Sequence, residues 1–170
     1  MYSLESDTAY PNILFNLYCT LIFPYLSYCN LLWGSNYKTH LNHLFNLQKR
    51  AIRIVYNIPW KSSIKPVLTK HNLLSLFKIN KYQVYLFMYR LYHNLLPTSL
   101  SSNFQRGFHI HNYFTRFQYR SHPAHLKIKQ LSITCLGPVL WNSLPEVIRK
   151  SPSMGSFKLS VKKYIIFDKY

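Results

Sequence analysis

The sequence predicts a mainly α-helical, bundle-like domain with a loop-rich segment and, near the C-terminus, a place for a short strand pair. Three observations carry this. Apolar residues recur at helical spacing from Thr39 to Asn57 and again from Ser75 to Asn94. Prolines at positions 11, 24, 59, 66 and 97 punctuate the chain at helix-length intervals. Hydrophobic residues make up 48% of the 170, enough to fill one ordinary core and far from the composition of disordered chains. The length divides into a helical region over residues 1–97 and a basic, loop-rich and C-terminal helical region over 98–170, or forms one continuous domain.

Pro11 suits the first turn of a helix running toward Pro24, where the missing N–H and the ring clash predict a kink or a stop. A second helical stretch reaches Trp33, and Gly34-Ser35-Asn36 ends it. Ile13 to Trp33 contains no charged residue and is long enough to span a bilayer. Asn16, Thr20, Pro24, Ser27 and Asn30 interrupt it, however, and Tyr18, Tyr25 and Tyr28 lie through its middle instead of forming belts at two interfaces. It reads as a buried, Pro-kinked helical segment.

The clearest helix follows, with Thr39 as its expected cap. Leu41, Leu44, Phe45, Gln48, Ala51, Ile52 and Val55 form one stripe, in which Gln48 is the polar member, and Asn42, Asn46, Lys49, Arg50, Arg53 and Asn57 fall opposite. Pro59 ends this helix. A shorter one is expected over Pro66 to His71. The run from Ser75 to Asn94 is apolar on much of its circumference, which makes it the expected central helix. Residues 98 to 126 show no sustained period and read as loop. Lys127 to Cys135 is the candidate strand, with Ile128 and Ile133 as buried positions, and Gly137-Pro138 is the expected turn into a segment whose Trp141 belongs to the core. A basic helix from Ser156 to Phe167 closes the chain, with Phe157, Val161, Tyr164 and Ile165 inward and Lys158, Lys162 and Lys163 outward.

Charge is the unusual feature. Lys and Arg number 21 against four acids, for a formal net charge of +17. The acids are Glu5, Asp7, Glu146 and Asp168, so no carboxylate between Asp7 and Glu146 is available to neutralise a neighbouring cation. Such a field attracts polyanions: RNA, DNA or anionic membrane. The three cysteines, Cys19, Cys29 and Cys135, are too scattered for a disulfide framework or a zinc site, and an intracellular setting, nucleus or cytoplasm, is the expectation. Glu5 and Asp7 stand where a secretory signal has its basic residues.

Carboxylate-dependent chemistry finds no support. Two-metal phosphoryl transfer needs converging carboxylates, and these four acids lie at the two ends of the chain without a D-x-D spacing. An Asp-oriented serine triad and a paired-carboxylate glycosidase fail on the same count. Glycines at 34, 107, 137 and 155 make neither a Walker loop nor a dinucleotide fingerprint. His109, His111, His122 and His125 pair as H-x-H and H-x-x-H, but they lack thiolate partners and orienting carboxylates. The expectation is no enzyme activity, no metal and no cofactor.

Several strings carry a resemblance when read together. Pro24-Tyr25-Leu26-Ser27-Tyr28-Cys29-Asn30 with Trp33-Gly34 is followed by Leu47-Gln48-Lys49-Arg50-Ala51-Ile52-Arg53-Ile54. Leu86-Phe87-Met88-Tyr89-Arg90 with Asn94-Leu95-Leu96-Pro97 comes next, then His111-Asn112-Tyr113 with Thr115-Arg116. Gly137-Pro138 with Trp141-Asn142-Ser143-Leu144-Pro145 and a closing Phe157-Lys158 and Lys162-Lys163 complete the series. In order and spacing, from about residue 13 to the end, these resemble the thumb and post-thumb region of reverse transcriptases from non-LTR (LINE-type) retrotransposons of the jockey and CR1 kind.

The resemblance implies a fragment of an RNA-directed DNA polymerase. In the family the aromatic-x-Asp-Asp motif of polymerisation and the endonuclease lie upstream of this region, and the C-terminal cysteine-histidine knuckle of relatives has no counterpart here. The implied role is electrostatic grip on RNA or a template–primer duplex, with the upstream polymerase domain as a second partner. Lys49, Arg50 and Arg53 are the expected phosphate contacts on one helix, and Arg116, Arg120, Lys127 and Lys129 form a second strip. Tyr113 and Phe117 are candidates for stacking on unpaired bases, with core packing as their alternative. The rival readings are a basic membrane-associated protein and a degenerate transposon remnant without function.

Overall fold

The computed structural model describes residues 6–104 and 119–167, with side chains from residue 12 onward. The chain is mainly α-helical. In order it forms α1 (Ser6–Leu17), a π-helical turn (Tyr18–Ile22), α2 (Phe23–Ser27), α3 (Asn30–Trp33), α4 (Lys38–Val55), α5 (Lys65–Lys70) and α6 (Leu76–Tyr92). Then come α7 (Thr98–Ser101), α8 (Lys127–Gln130), α9 (Ile133–Ser143), α10 (Glu146–Arg149) and α11 (Met154–Phe167).

The apolar circumference of α6 makes it the axis of the fold. Leu76, Ile79, Val84, Tyr85, Met88, Tyr89 and Leu91 are all buried, and α9, α11, α4, α3 and α2 pack around them. Tyr89 stacks on Phe157 with ring centroids 4.2 Å apart, and Trp141 reaches Tyr92 at 5.6 Å, so three helices meet through four rings. The Tyr89 hydroxyl donates to the Ser151 carbonyl at 3.0 Å, satisfying the polar end of a buried ring. Lys78 donates to the Ile166 carbonyl at the C-terminal end of α11, where a cation meets the negative end of the helix dipole.

Pro24 acts through the turn before it. A proline ring collides with the carbonyl four residues earlier in a regular helix. Here the backbone widens to π geometry over Tyr18–Ile22, and Phe23 donates to the Tyr18 carbonyl across the wider ring. The chain then breaks at Cys29, whose φ of +48° lies in the left-handed region.

Among the described residues three other non-glycine residues share that region, and each stops a helix. Asn57, Asn72 and Asn94 follow α4, α5 and α6 with φ of +48°, +52° and +55°. In each case the next residue donates back across the helix end: Ile58 to the Arg53 carbonyl, Leu73 to Leu68 and Leu95 to Arg90. These are Schellman closures, which satisfy last-turn carbonyls, and asparagine is the residue that best tolerates the position after glycine.

Several expectations are corrected by this fold. Pro11 lies inside α1, which begins at Ser6. Thr39 lies inside the first turn of α4, whose N-cap is Tyr37 and has no side-chain cap. Asn57 leaves the outer face of α4 to close the helix. Lys127 to Cys135 is helical and not a strand: α8 and the start of α9 occupy it, and Ile128 points to solvent. Gly137-Pro138 is no turn but the middle of α9, both residues buried. The physical reason is packing, because the absent side chain of Gly137 lets α9 approach the sulfur of Met88 on α6. Ile13 to Trp33 is only half interior. Tyr18, Leu26 and Asn30 are buried, while Leu21, Tyr25 and Leu32 are exposed, Tyr25 by 81%. No helix among the described residues is long and apolar enough to cross a membrane.

Candidate nucleic-acid interface

The inner face of α4 fixes the outer one. Leu41, Gln48, Ile52 and Val55 are buried, the latter two in a small cluster with Tyr18 and Ile64. Gln48 is held on both ends: its amide donates to the Tyr18 hydroxyl at 3.1 Å and the Leu74 carbonyl at 3.0 Å, and its oxygen accepts from Leu76 at 2.8 Å. With that face locked, Asn46, Lys49, Arg50 and Arg53 share the opposite one, because residues three and four apart on a helix are neighbours.

The Schellman closure at Asn57 brings the chain back over the end of this face. Pro59 to Ser62 form a tight turn in which Ser62 donates to the Pro59 carbonyl at 3.0 Å. Arg53 fastens the turn by donating from Nη2 to the Ser62 carbonyl at 3.3 Å. Trp60 is thereby presented to α4 with the Arg53 guanidinium 5.0 Å from its ring centre and that of Arg50 at 5.5 Å, both within cation–π range. Lys49 lies 4.3 Å from the Phe45 ring centre and donates to the Asn46 side-chain oxygen at 3.3 Å. Asn46, Lys49, Arg50, Arg53 and Trp60 line a shallow recess of about 270 Å³.

Among the described residues no carboxylate lines this recess. Three cations close together on α4 raise a positive potential that neutral oxygens (Ser62, Asn46), aromatic faces and solvent temper without cancelling. At the other end of the chain Glu146 pairs with Lys150 at 2.7 Å. That contact holds the Glu146 carboxyl below its ordinary range and raises the Lys150 ammonium, and both side chains are exposed.

The remaining candidates are distributed. Arg120, Lys127 and Lys129 are exposed, the latter two on α8, which packs on α9. Tyr113, Arg116 and Phe117 lie outside the described residues, as do His109 and His111. Among the described residues no group of three His, Cys, Asp or Glu side chains is placed to share a metal ion.

No protein-family model, curated protein or solved structure matches the chain.

Sequence reasoning missed Trp60 and the part played by Asn46. The signal was present. Asn57, followed one residue later by Pro59-Trp60 and placed just past a helix whose last turns carry Lys49-Arg50-x-x-Arg53, predicts a left-handed closure that folds the tryptophan back toward those cations.

Proposed function

We propose that the chain is a non-catalytic region that holds nucleic acid by its phosphate backbone, as the thumb and post-thumb part of a LINE-type reverse transcriptase. The observation that carries the reading is the recess on α4, where Lys49, Arg50 and Arg53 converge beside Asn46 and Trp60 with no acid among the residues that line it. Guanidinium groups offer forked donors that match phosphate oxygens, lysine adds a point charge, and asparagine supplies a neutral donor. Backbone contacts of this type set affinity and orientation without reading sequence. The ligand of this reading is RNA or a template–primer duplex, and the setting is nuclear or cytoplasmic.

A second contact accompanies it. Ile13, Leu17, Leu21, Tyr25, Tyr28 and Leu32 recur at intervals of three or four residues and are all exposed. An apolar surface of this kind is what a covering partner removes from water. In this reading the partner is the polymerase domain upstream in the parent protein.

The test sets nucleic acid against membrane. Purified protein is presented with labelled RNA on a retaining filter and, separately, with vesicles carrying phosphatidylserine in a flotation gradient. The reading expects retention of RNA at concentrations where the protein stays at the bottom of the gradient. Flotation without RNA retention refutes it.

A further inference from the structure

We infer that Trp60 and the arginines beside it form a subsite for one unpaired nucleotide, so that this interface prefers single strands to duplex. The inference rests on the phosphate-holding reading of α4 and names the ligand feature that the site selects.

An exposed tryptophan alone means little, because scattered apolar residues are normal on protein surfaces. Trp60 differs in three respects. It is held in place, since the Pro59–Ser62 turn that carries it is closed by its own backbone bond and fastened to α4 through Arg53. It is also shared between two guanidinium groups while 65% of its surface stays open to solvent. Finally, it borders a recess whose other walls are polar or cationic, so an aromatic surface and phosphate-binding groups face the same small space.

That combination matches a nucleotide. Arg50, resting against the indole, keeps its N–H edge for phosphate oxygens, while Arg53 gives Nη2 to the Ser62 carbonyl and adds its charge to the same recess. The open indole surface offers a stacking platform, which works with any base because every base has a π-face. A duplex keeps its bases stacked on one another and offers only backbone, so it can satisfy the cations but not the indole. The recess, about 270 Å³, is smaller than the usual ligand pocket of about 300 Å³ or more, so it has room for a single small group against the indole and none for a duplex.

The experiment compares Trp60→Ala and Trp60→Phe with wild type on four probes: oligouridylate, oligothymidylate, an abasic strand of the same length and a blunt DNA duplex. A stacking contact worth its usual amount makes Trp60→Ala weaken both base-bearing single strands by roughly 5- to 150-fold, while the abasic strand and the duplex change by less than about twofold. Trp60→Phe retains most of the single-strand affinity. A difference in fluorescence quenching between wild type and Trp60→Phe on adding oligouridylate reports the ring itself. Because Trp60 is exposed, the thermal melt should hardly move, and it is recorded for each variant.

Two results overturn the inference. One is unchanged oligouridylate binding by Trp60→Ala. The other is an equal loss on all four probes, which means that the indole only props the arginines. Failure of the underlying phosphate reading shows separately, as wild-type binding that ignores salt.

Discussion

The side-chain oxygen of Gln48 accepts the backbone N–H of Leu76 at 2.8 Å, so a residue of α4 caps the first turn of α6. Ser75, in the N-cap position, makes no side-chain bond there. The same glutamine donates to Tyr18 and to the Leu74 carbonyl, and it is only 1% exposed. Gln48→Leu preserves the apolar stripe but strips partners from three buried groups, each worth about 1 to 3 kcal/mol when left unsatisfied. The expected outcome in urea denaturation is a loss of roughly 3 kcal/mol or more. Gln48→Leu that melts like wild type contradicts this assignment.

Gly34 and Gly137 make a paired prediction. A Cβ on Gly34 would collide with the side chain and backbone oxygen of Asn30 and with the Asn80 amide. These atoms are fixed, because Asn30 donates to Leu26 at 2.9 Å and Asn80 donates to Asn30 at 3.2 Å. A Cβ on Gly137 would meet chiefly the sulfur of Met88 at 2.8 Å, the end of a flexible side chain. Gly34→Ala should therefore cost more than Gly137→Ala, within the range of about 1 to 3 kcal/mol typical of overpacking. Thermal melts of the two variants decide the order, and the reverse order counts against it.

Most of the helices were legible because their causes are local. The stripe from Leu41 to Val55 and the apolar circumference of α6 are patterns that burial imposes directly. The helix starts expected at Pro11 and Thr39 were misplaced by a few residues, and the larger failures were decided by distant contacts. Gly137-Pro138 carries every local mark of a turn, yet Met88, some fifty residues earlier in the chain, makes it the crossing point of two helices. Lys127 to Cys135 has no strong period, and its β-branched residues lose to helical packing of α9 against α6. The basic half of the site was readable from residue type and helical spacing. Trp60 was not, because its place depends on the backbone turn at Asn57.

The turn at Asn57 gives the third prediction. A residue at φ of +48° is cheapest as glycine and costly as a β-branched residue. Asn57→Gly should hold or raise the melting temperature, and Asn57→Val should lower stability by about 1 to 2 kcal/mol. Since this turn positions Trp60, Asn57→Val should also weaken single-strand binding more than duplex binding. Equal behaviour of the two variants in both assays refutes the assignment.

Tyr18 gives a prediction in alkali. Burial raises its hydroxyl above the ordinary value of 10.0, partly offset by the bond from Gln48. A group whose pKa is raised on folding favours the folded state below its unfolded value, and that contribution drains away as pH climbs toward the folded value. Stability should thus fall above about pH 10, and Tyr18→Phe should fall less steeply while costing about 1 kcal/mol at neutral pH for the lost bond. Denaturation midpoints measured across that pH interval test it. Parallel curves for the two proteins contradict the account.

Whether the α4 face holds phosphates is decided by a salt titration. Binding that releases counterions makes log K fall linearly with log salt, by about 0.7 per phosphate on single strands and 0.9 on duplex. Replacing Lys49, Arg50 and Arg53 together by Ala removes up to three cations from one face, and helix propensity changes little. The expected slope is shallower by roughly 2 to 3 on one oligonucleotide, with equal helicity by circular dichroism and an affinity loss that is the same on unrelated sequences. An unchanged slope in the triple variant, or wild-type binding that does not respond to salt, contradicts phosphate binding by this face.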